Sequence, residues 1–288
     1  MDRSKKKQRT IPLILLMISV FVSISGFSCI NKSMEHDVIS NIISATSTLK
    51  TFKLDTTLTL KNTIQGKTNS QPYSNQWQWK SQKLVDLMKN KLFVSMQSGD
   101  IANNTVTPYV WDMYVVDDCE YIKTISPEPL PIGSEAWNKT KLLENNSLID
   151  NEAQVIPLVE LLKTASQVIL LGLEKIDNIE CYIIHITPSR EAITSWVISQ
   201  QQPTGLSLWE RGITPTEADN GYEKGYQASW IRFWIEKDSN LIKKAEINAL
   251  FSYQGIKDFQ GQMNFSDYNK TISIEVPTEA LNTQENPS

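Results

Sequence analysis

The clearest structural signal in the chain is the stretch SWIRFWIEKDSNLIKKAEINALF, residues 229–251. Its two halves alternate apolar and polar side chains, which is typical of β-strands with one buried and one solvated face. Between them lies Lys237-Asp238-Ser239-Asn240, a polar sequence of the kind found in turns. We therefore predict an antiparallel hairpin, with strands over residues 229–236 and 241–253.

The same alternation recurs on both sides of this hairpin and predicts further strands. They cover residues 52–60, 76–80, 92–97, 111–116, 120–123, 179–187 and 260–267. Asp117-Asp118 and Asp177-Asn178 are typical hairpin turns. Apolar residues at helical spacing predict helices over residues 34–50, 151–164 and 188–199. Helices inserted among consecutive hairpins indicate an α+β protein, in which a curved antiparallel sheet is covered on one face.

The N-terminus has the pattern of an export signal. Five Lys or Arg residues between positions 3 and 9 precede an uncharged, mostly apolar run at residues 11–27. We predict a signal peptide over residues 1–28. The apolar run is also close to the length of about 20 residues that spans a bilayer, so an uncleaved anchor is the alternative. Both interpretations place the rest of the chain on the extracytoplasmic face of the cell membrane.

Cys29 lies at the end of this segment, where bacterial lipoproteins carry the cysteine that is acylated. Ser28 suits the small position before it, whereas Gly26 and Phe27 depart from the usual lipobox. We predict that Cys29 is lipidated and that residues 29–33 form a tether. Two acyl chains on this residue would hold the protein firmly at the bilayer.

A single domain is predicted over residues 34–281, since no repeat and no interdomain linker interrupts the pattern. The interval 200–226 contains Pro, Gly, Thr and Gln without a clean period, so we predict a long surface loop there. Residues 282–288 are predicted to be a polar tail.

Composition and motifs argue against several classes of protein. The 288 residues include only two His and three Cys, too few for a His/Cys-rich metal site. The net charge of −4 argues against a nucleic-acid partner. The chain lacks the motifs G-x-S-x-G, H-E-x-x-H and G-x-G-x-x-G. We therefore expect no enzyme activity, no cofactor and no metal.

Cys119 and Cys181 are the two cysteines that remain once Cys29 is lipidated. Each follows a predicted turn near the start of a strand, and an exported pair can form a disulfide. Two buried free thiols are the alternative. The distance between the two Cα atoms decides whether a disulfide or two free thiols are present, and this distance depends on the fold.

Four phrases follow one another along the chain. They are YVVDDCEYIK (114–123), LGLEKIDNIECYII (171–184), FWIEKDSNLIKKAE (233–246) and FSDYNKTISIEVP (265–277). In this order they resemble exported lipoproteins of the LolA/LolB and LppX/LprG type. The last two are similar to the family phrases W-I-D-x-x-x-x-L-P-x-K and F-S-D-Y-N-x-P-V-x-I-x-x-P. Ile242 and Thr271 stand where prolines are usual in the family, and the interval 200–226 is a long insertion.

The resemblance implies a strongly curved antiparallel sheet, an unclosed half-barrel, with helices covering its concave face. In the family this hollow holds acyl chains of lipids or lipoproteins. We therefore expect a membrane-anchored lipoprotein that binds a lipid or other amphiphile and carries or presents it, without covalent chemistry. An envelope sensor or protein-interaction module of the same fold, with a filled core and a protein partner, is the alternative.

Apolar residues on one face of the predicted strands are the candidate ligand-binding residues. They are Leu54, Leu58, Ile231, Phe233, Ile235 and Ile247. A palmitate-length acyl chain could bind there without hydrogen bonds, because each buried methylene contributes about 0.8 kcal/mol. A packed core has the same alternation, so a filled interior is the alternative.

Tryptophan pairs occur at strand spacing, as Trp77/Trp79 and Trp230/Trp234. The two members of each pair are predicted to share one face of the sheet. Cross-strand packing is their expected role. A platform on which sugar rings stack is the alternative.

Overall fold

The computed structural model describes residues 37–64, 73–100, 109–126, 136–142, 155–200, 223–252 and 255–286. In these regions twelve strands form one sheet. The strands are β1 (Thr51–Ile64), β2 (Tyr73–Asp86), β3 (Lys91–Asp100), β4 (Tyr109–Val116), β5 (Cys119–Ser126), β6 (Asn138–Lys141), β7 (Gln167–Ile176), β8 (Ile179–Thr187), β9 (Tyr226–Glu236), β10 (Ile242–Ser252), β11 (Ile256–Ser266) and β12 (Glu285–Asn286). The helices are α1 (37–47), α2 (Val155–Lys163), α3 (Arg190–Gln200) and α4 (Thr278–Leu281).

The sheet consists of two meanders that meet in its middle. β1 to β6 are neighbours in chain order, and so are β7 to β11, while β11 pairs with β1. Neighbouring strands are antiparallel, except that the short β12 lies parallel to β6. β7 and β12 are the two edges, so the sheet is unclosed. The predicted fold class, an α+β protein built on an unclosed, curved antiparallel sheet, is confirmed.

Tight turns form where the Asp and Asn pairs predict them. Asp117 and Asp118 have φ angles of 52° and 61°, and Asp177 and Asn178 have φ angles of 51° and 66°. Positive φ at both central positions is the type I′ geometry, whose twist matches that of the flanking strands. Asp and Asn tolerate this conformation better than most residues. The two hairpins that these pairs predict are confirmed.

One face of the sheet, here called the inner face, packs against the helices. Along β9 and β10 its side chains are buried, while the alternating positions, except the buried Trp234, are more exposed. Ile42 of α1, Leu161 of α2 and Trp196 of α3 belong to the same hydrophobic cluster as these strands. The Trp196 ring meets Phe259 of β11 edge-on, with 5.6 Å between ring centroids. The helices therefore cover the concave face, as predicted.

The last two of the four phrases meet in the structure. The Tyr268 hydroxyl donates a hydrogen bond to the backbone carbonyl of Ile242. Burial raises the pKa of this phenol well above its ordinary value. The Tyr268 ring stacks on Phe265, with 8° between their planes. One tyrosine thus ties the start of β10 to the segment that follows β11.

Several predicted segments lie outside the described residues. They are the signal peptide, Cys29 with its tether, and residues 201–222 of the predicted loop. No helix among the described residues is both long and apolar enough to cross a membrane. Within the predicted polar tail, Glu285–Asn286 form β12. The sequence analysis missed α4, whose Ala280 packs against Tyr121 and Trp137.

We expect Gly255→Ala to lower the free energy of unfolding by about 3 kcal/mol. Gly255 has a φ of +115°, and a Cβ there would lie 2.7 Å from the backbone oxygen of Thr63. Gly172→Ala is the matched control, because Gly172 has a φ of +138° but nothing within 4 Å of the added Cβ. Its cost is therefore backbone strain alone, about 1–2 kcal/mol. Urea unfolding measures both variants, and equal losses would contradict a steric role for Thr63.

Candidate functional site

The six candidate ligand-binding residues lie together on the inner face. They are Leu54 and Leu58 of β1, Ile231, Phe233 and Ile235 of β9, and Ile247 of β10. Leu58 and Ile247 are the two cross-strand partners of Gly261 in β11. Ile231 pairs with Ile247 on its other side. The structure thus brings the two separately predicted apolar faces into one continuous surface.

Gly261 allows this surface to close. A Cβ at this position would lie 2.8 Å from Cδ2 of Leu58, which is closer than real Cβ contacts. The missing side chain therefore lets Leu58 extend across β11 toward Ile247. No pattern in the sequence marks this contact, because Leu58 of β1 and Ile247 of β10 are far apart in the chain.

The six side chains are buried, with at most 6% of any residue exposed. They form one hydrophobic cluster with residues of α1, α2 and α3. The apolar surface is therefore covered by the protein's own helices in this structure. An acyl chain could occupy it if the helices moved outward and their contacts were replaced by contacts with the ligand.

An open cleft of about 370 Å³ lies between α2 and α3, above this surface. It is lined by Pro157, Glu160 and Leu161 of α2 and by Ala192, Ser195 and Trp196 of α3. Leu161 and Trp196 are buried members of the inner cluster, so the cleft reaches the apolar interior. The exposed Glu160 and Ser195 mark its outer side.

Polar residues also occur within the largely apolar inner face. Lys83 of β2 is 3% exposed and pairs with Leu54 on one side and Val94 on the other. Thr56 of β1 is buried as well, and its hydroxyl has no hydrogen-bond partner in the described part of the chain. The sequence analysis missed Lys83. Continuing the alternation from Trp77 and Trp79 along β2 would have placed it on the inner face.

The possible disulfide between Cys119 and Cys181 is not formed. Cys119 begins β5 and Cys181 lies in β8, and seven strands separate β5 from β8 in the sheet order. Both residues are free thiols, with Cys181 buried and Cys119 half-buried. Burial raises the pKa of the Cys181 thiol, which disfavours the reactive thiolate. The similar turns before the two cysteines reflect two equivalent hairpins at distant places in the sheet.

Metal-ligating residues are dispersed through the part of the chain that the structure describes. No group of three His, Cys, Asp or Glu residues lies close enough there to hold a metal ion. His185, in β8, lies on the outer face and stacks on Trp230 at 5.9 Å between ring centroids. Desolvation, and then the nearby Arg232, lower the pKa of His185, so the imidazole is neutral at pH 7.

Comparisons with known proteins identify similar solved structures. No protein-family model matches the sequence, and no curated protein matches it. The lipoprotein LppX from Mycobacterium tuberculosis is similar at 15% identity and a TM-score of 0.43, over 85% of this chain and 100% of LppX. LprF from Mycobacterium bovis is similar at 12% identity and a TM-score of 0.47, over 86% of this chain and 98% of LprF. A lipoprotein of the LppX type, to which the four phrases pointed, is thus among the solved structures that this chain is similar to.

Proposed function

We propose that the chain is an exported lipoprotein, anchored through Cys29, that binds a lipid or other amphiphile between its sheet and its helices. It carries or presents this ligand between sites in the envelope and catalyses no covalent reaction. One observation supports the proposal most directly. The apolar concave face is covered by helices, whose buried side chains belong to the same hydrophobic cluster as those of the sheet. Helices can move away from a sheet without breaking backbone hydrogen bonds, whereas a covering strand could not.

The energetics of such an exchange are balanced. Moving α2 and α3 outward exposes apolar side chains, which costs about 25 cal/mol for each Å². An acyl chain in the same space recovers a comparable amount, because each buried methylene contributes about 0.8 kcal/mol. The cleft beside Leu161 and Trp196 provides the entry. Binding and release can therefore proceed without a large net change in free energy.

Polar groups on the inner face favour an amphiphile over a plain hydrocarbon. The Thr56 hydroxyl lies on this buried face and has no hydrogen-bond partner among the described residues. Buried polar groups gain most from a ligand that can hydrogen-bond to them. The proposed ligand therefore has a polar head as well as an acyl chain.

Mass spectrometry of an organic extract tests the proposal. Residues 30–288 are expressed in a bacterial envelope, purified without detergent and extracted. We expect stoichiometric lipid that a denatured control lacks, because a ligand buried under the helices survives purification. A folded protein that yields no lipid, and takes up none from vesicles, would count against the carrier function.

A protein-interaction module is the second candidate function, and the edge strand β7 favours it. Leu171 and Leu173 of β7 are 51% and 52% exposed. An exposed, apolar edge strand can pair with an extended segment of another protein. An empty but well-folded protein in the extraction experiment would support this function.

A further inference from the structure

The outer face of the sheet, opposite the helices, carries a second open cleft of about 370 Å³. It lies over β1, β9, β10 and β11. Its walls are polar side chains and one aromatic ring: Thr57, Thr59, Trp230, Glu246, Asn248 and Gln260. The main chain of Ile247 and Gly261 forms the floor, since the Ile247 side chain is buried on the inner face. The cleft therefore combines a main-chain floor with hydrogen-bonding walls.

Cross-strand pairing aligns these walls in a row. Trp230 pairs with Asn248. Asn248 pairs with Gln260, and Gln260 pairs with Thr59. Neighbouring strands lie about 4.8 Å apart, so the row extends over about 14 Å. An elongated ligand that crosses the strands would meet one side chain of the row after another.

Two amides of the row are held in place by a single carboxylate. The Asn248 amide nitrogen donates to Oδ1 of Asp258 at 3.2 Å, and the Gln260 amide nitrogen donates to Oδ2 at 3.1 Å. The two amide oxygens accept no hydrogen bond from the described residues. Each amide also keeps a second N–H. The row thus presents fixed donors and acceptors, which lowers the entropy lost on binding.

Two neighbouring side chains contact the Trp230 ring. His185 of β8 stacks on its ring, with 24° between the planes. The Arg232 guanidinium carbon lies 5.6 Å from the ring centroid. These contacts hold the indole ring at the end of the row. An aromatic ring held in this way offers a rigid apolar surface next to hydrogen-bonding groups.

The charges near the cleft are largely balanced. Glu246 is the one charged side chain among the described lining residues, and Lys244 forms an ion pair with it at 2.7 Å. This lining therefore offers little to a strongly charged ligand. An extended peptide would need an unpaired strand, but β1, β9, β10 and β11 all have neighbours on both sides. The polar, largely uncharged lining suits a neutral molecule that carries many hydroxyl groups.

We propose that this outer cleft binds a neutral glycan chain. One sugar ring stacks its apolar face on Trp230, and the following rings donate and accept hydrogen bonds along Asn248, Gln260 and Thr59. The row has room for roughly three sugar rings, given the strand spacing. The site lies on the face opposite the proposed lipid site and does not depend on lipid binding.

Saturation-transfer NMR with two soluble probes tests this proposal. The full chain is purified in a detergent without a sugar headgroup, so that micelles do not compete. Cellohexaose and the β-1,4-linked hexamer of N-acetylglucosamine are titrated to millimolar concentration, the weak end of specific binding. We expect saturable binding of at least one probe. Trp230→Ala should weaken its binding about tenfold, because the stacking surface is lost.

Two further variants keep the test decisive. Asn248→Ala removes a hydrogen-bonding group without removing an aromatic ring, and should weaken binding about threefold. Gln82→Ala is the control, since Gln82 lies on the same outer face but does not line this cleft, and it should bind as the unmodified chain does. Circular dichroism confirms that each variant is folded. Failure of both neutral probes to bind, or equal binding by the Trp230 and Gln82 variants, would overturn the proposal.

Discussion

Phe233→Ala is expected to lower the free energy of unfolding by about 3–5 kcal/mol, enough to unfold a marginally stable domain. Phe233 is fully buried at the centre of the inner face. Its cross-strand partners, Ala245 of β10 and Ile184 of β8, are buried as well. Truncation therefore leaves a cavity that flanking strands cannot fill without breaking their ladders. Urea unfolding followed by tryptophan fluorescence measures the loss.

Phe93→Ala is the matched control for this prediction. Phe93 of β3 lies on the outer face, is half-buried and contacts Tyr114 with 4.8 Å between ring centroids. Solvent can fill the space that its ring leaves, so we expect a loss of about 1–2 kcal/mol. The two variants thus compare the same Phe-to-Ala truncation on the inner and the outer face. If both variants lose the same free energy of unfolding, the helices do not shield the inner face from water.

Cross-linking α2 to α3 is expected to slow lipid uptake about tenfold or more, because the helical cover can then no longer open. Glu160 and Ser195 are exposed residues on opposite sides of the cleft between these helices. The double variant Glu160→Cys, Ser195→Cys is bridged with a reducible bifunctional thiol reagent. Uptake of a fluorescent fatty acid by the delipidated protein is then followed over time. Reduction of the reagent should restore the original rate.

The control for the cross-link uses the same reagent within one helix. Glu160 and Lys163 are three positions apart on α2 and form an ion pair at 2.7 Å. The variant Glu160→Cys, Lys163→Cys therefore accepts a bridge that does not cross the cleft. Its uptake should match that of the unmodified protein. If the bridge between α2 and α3 leaves uptake unchanged as well, the ligand does not enter by separation of these helices.

Much of the fold could be predicted because its signals are local. The alternation in residues 229–251 predicted β9 and β10, and the Asp and Asn pairs predicted two type I′ turns. The strands β6, β7 and β12 and the helix α4 were given no bounds in the sequence analysis. β6 is four residues long and α4 is a single turn, so neither has room for a repeating pattern.

The candidate site could be predicted only in part. The apolar faces of β1 and of β9 with β10 were predicted from alternation, but their junction across Gly261 was not. The burial of Lys83 escaped prediction because a charged residue normally indicates a solvated position. The disulfide alternative failed for a related reason. Equivalent turns before Cys119 and Cys181 carry no information about how many strands lie between them.

The sequence by itself determined where most of the longer strands lie, where two of the hairpins turn and which side of these strands is apolar. These properties depend on contacts over a few residues, so a single stretch of chain contains them. Only the tertiary structure decided that β11 pairs with β1, and so that Leu54 lies opposite Phe265. It also decided that Trp230, Asn248 and Gln260 form one row on the outer face. Such neighbours come from strands distant in sequence, and their register depends on the packing of the whole sheet.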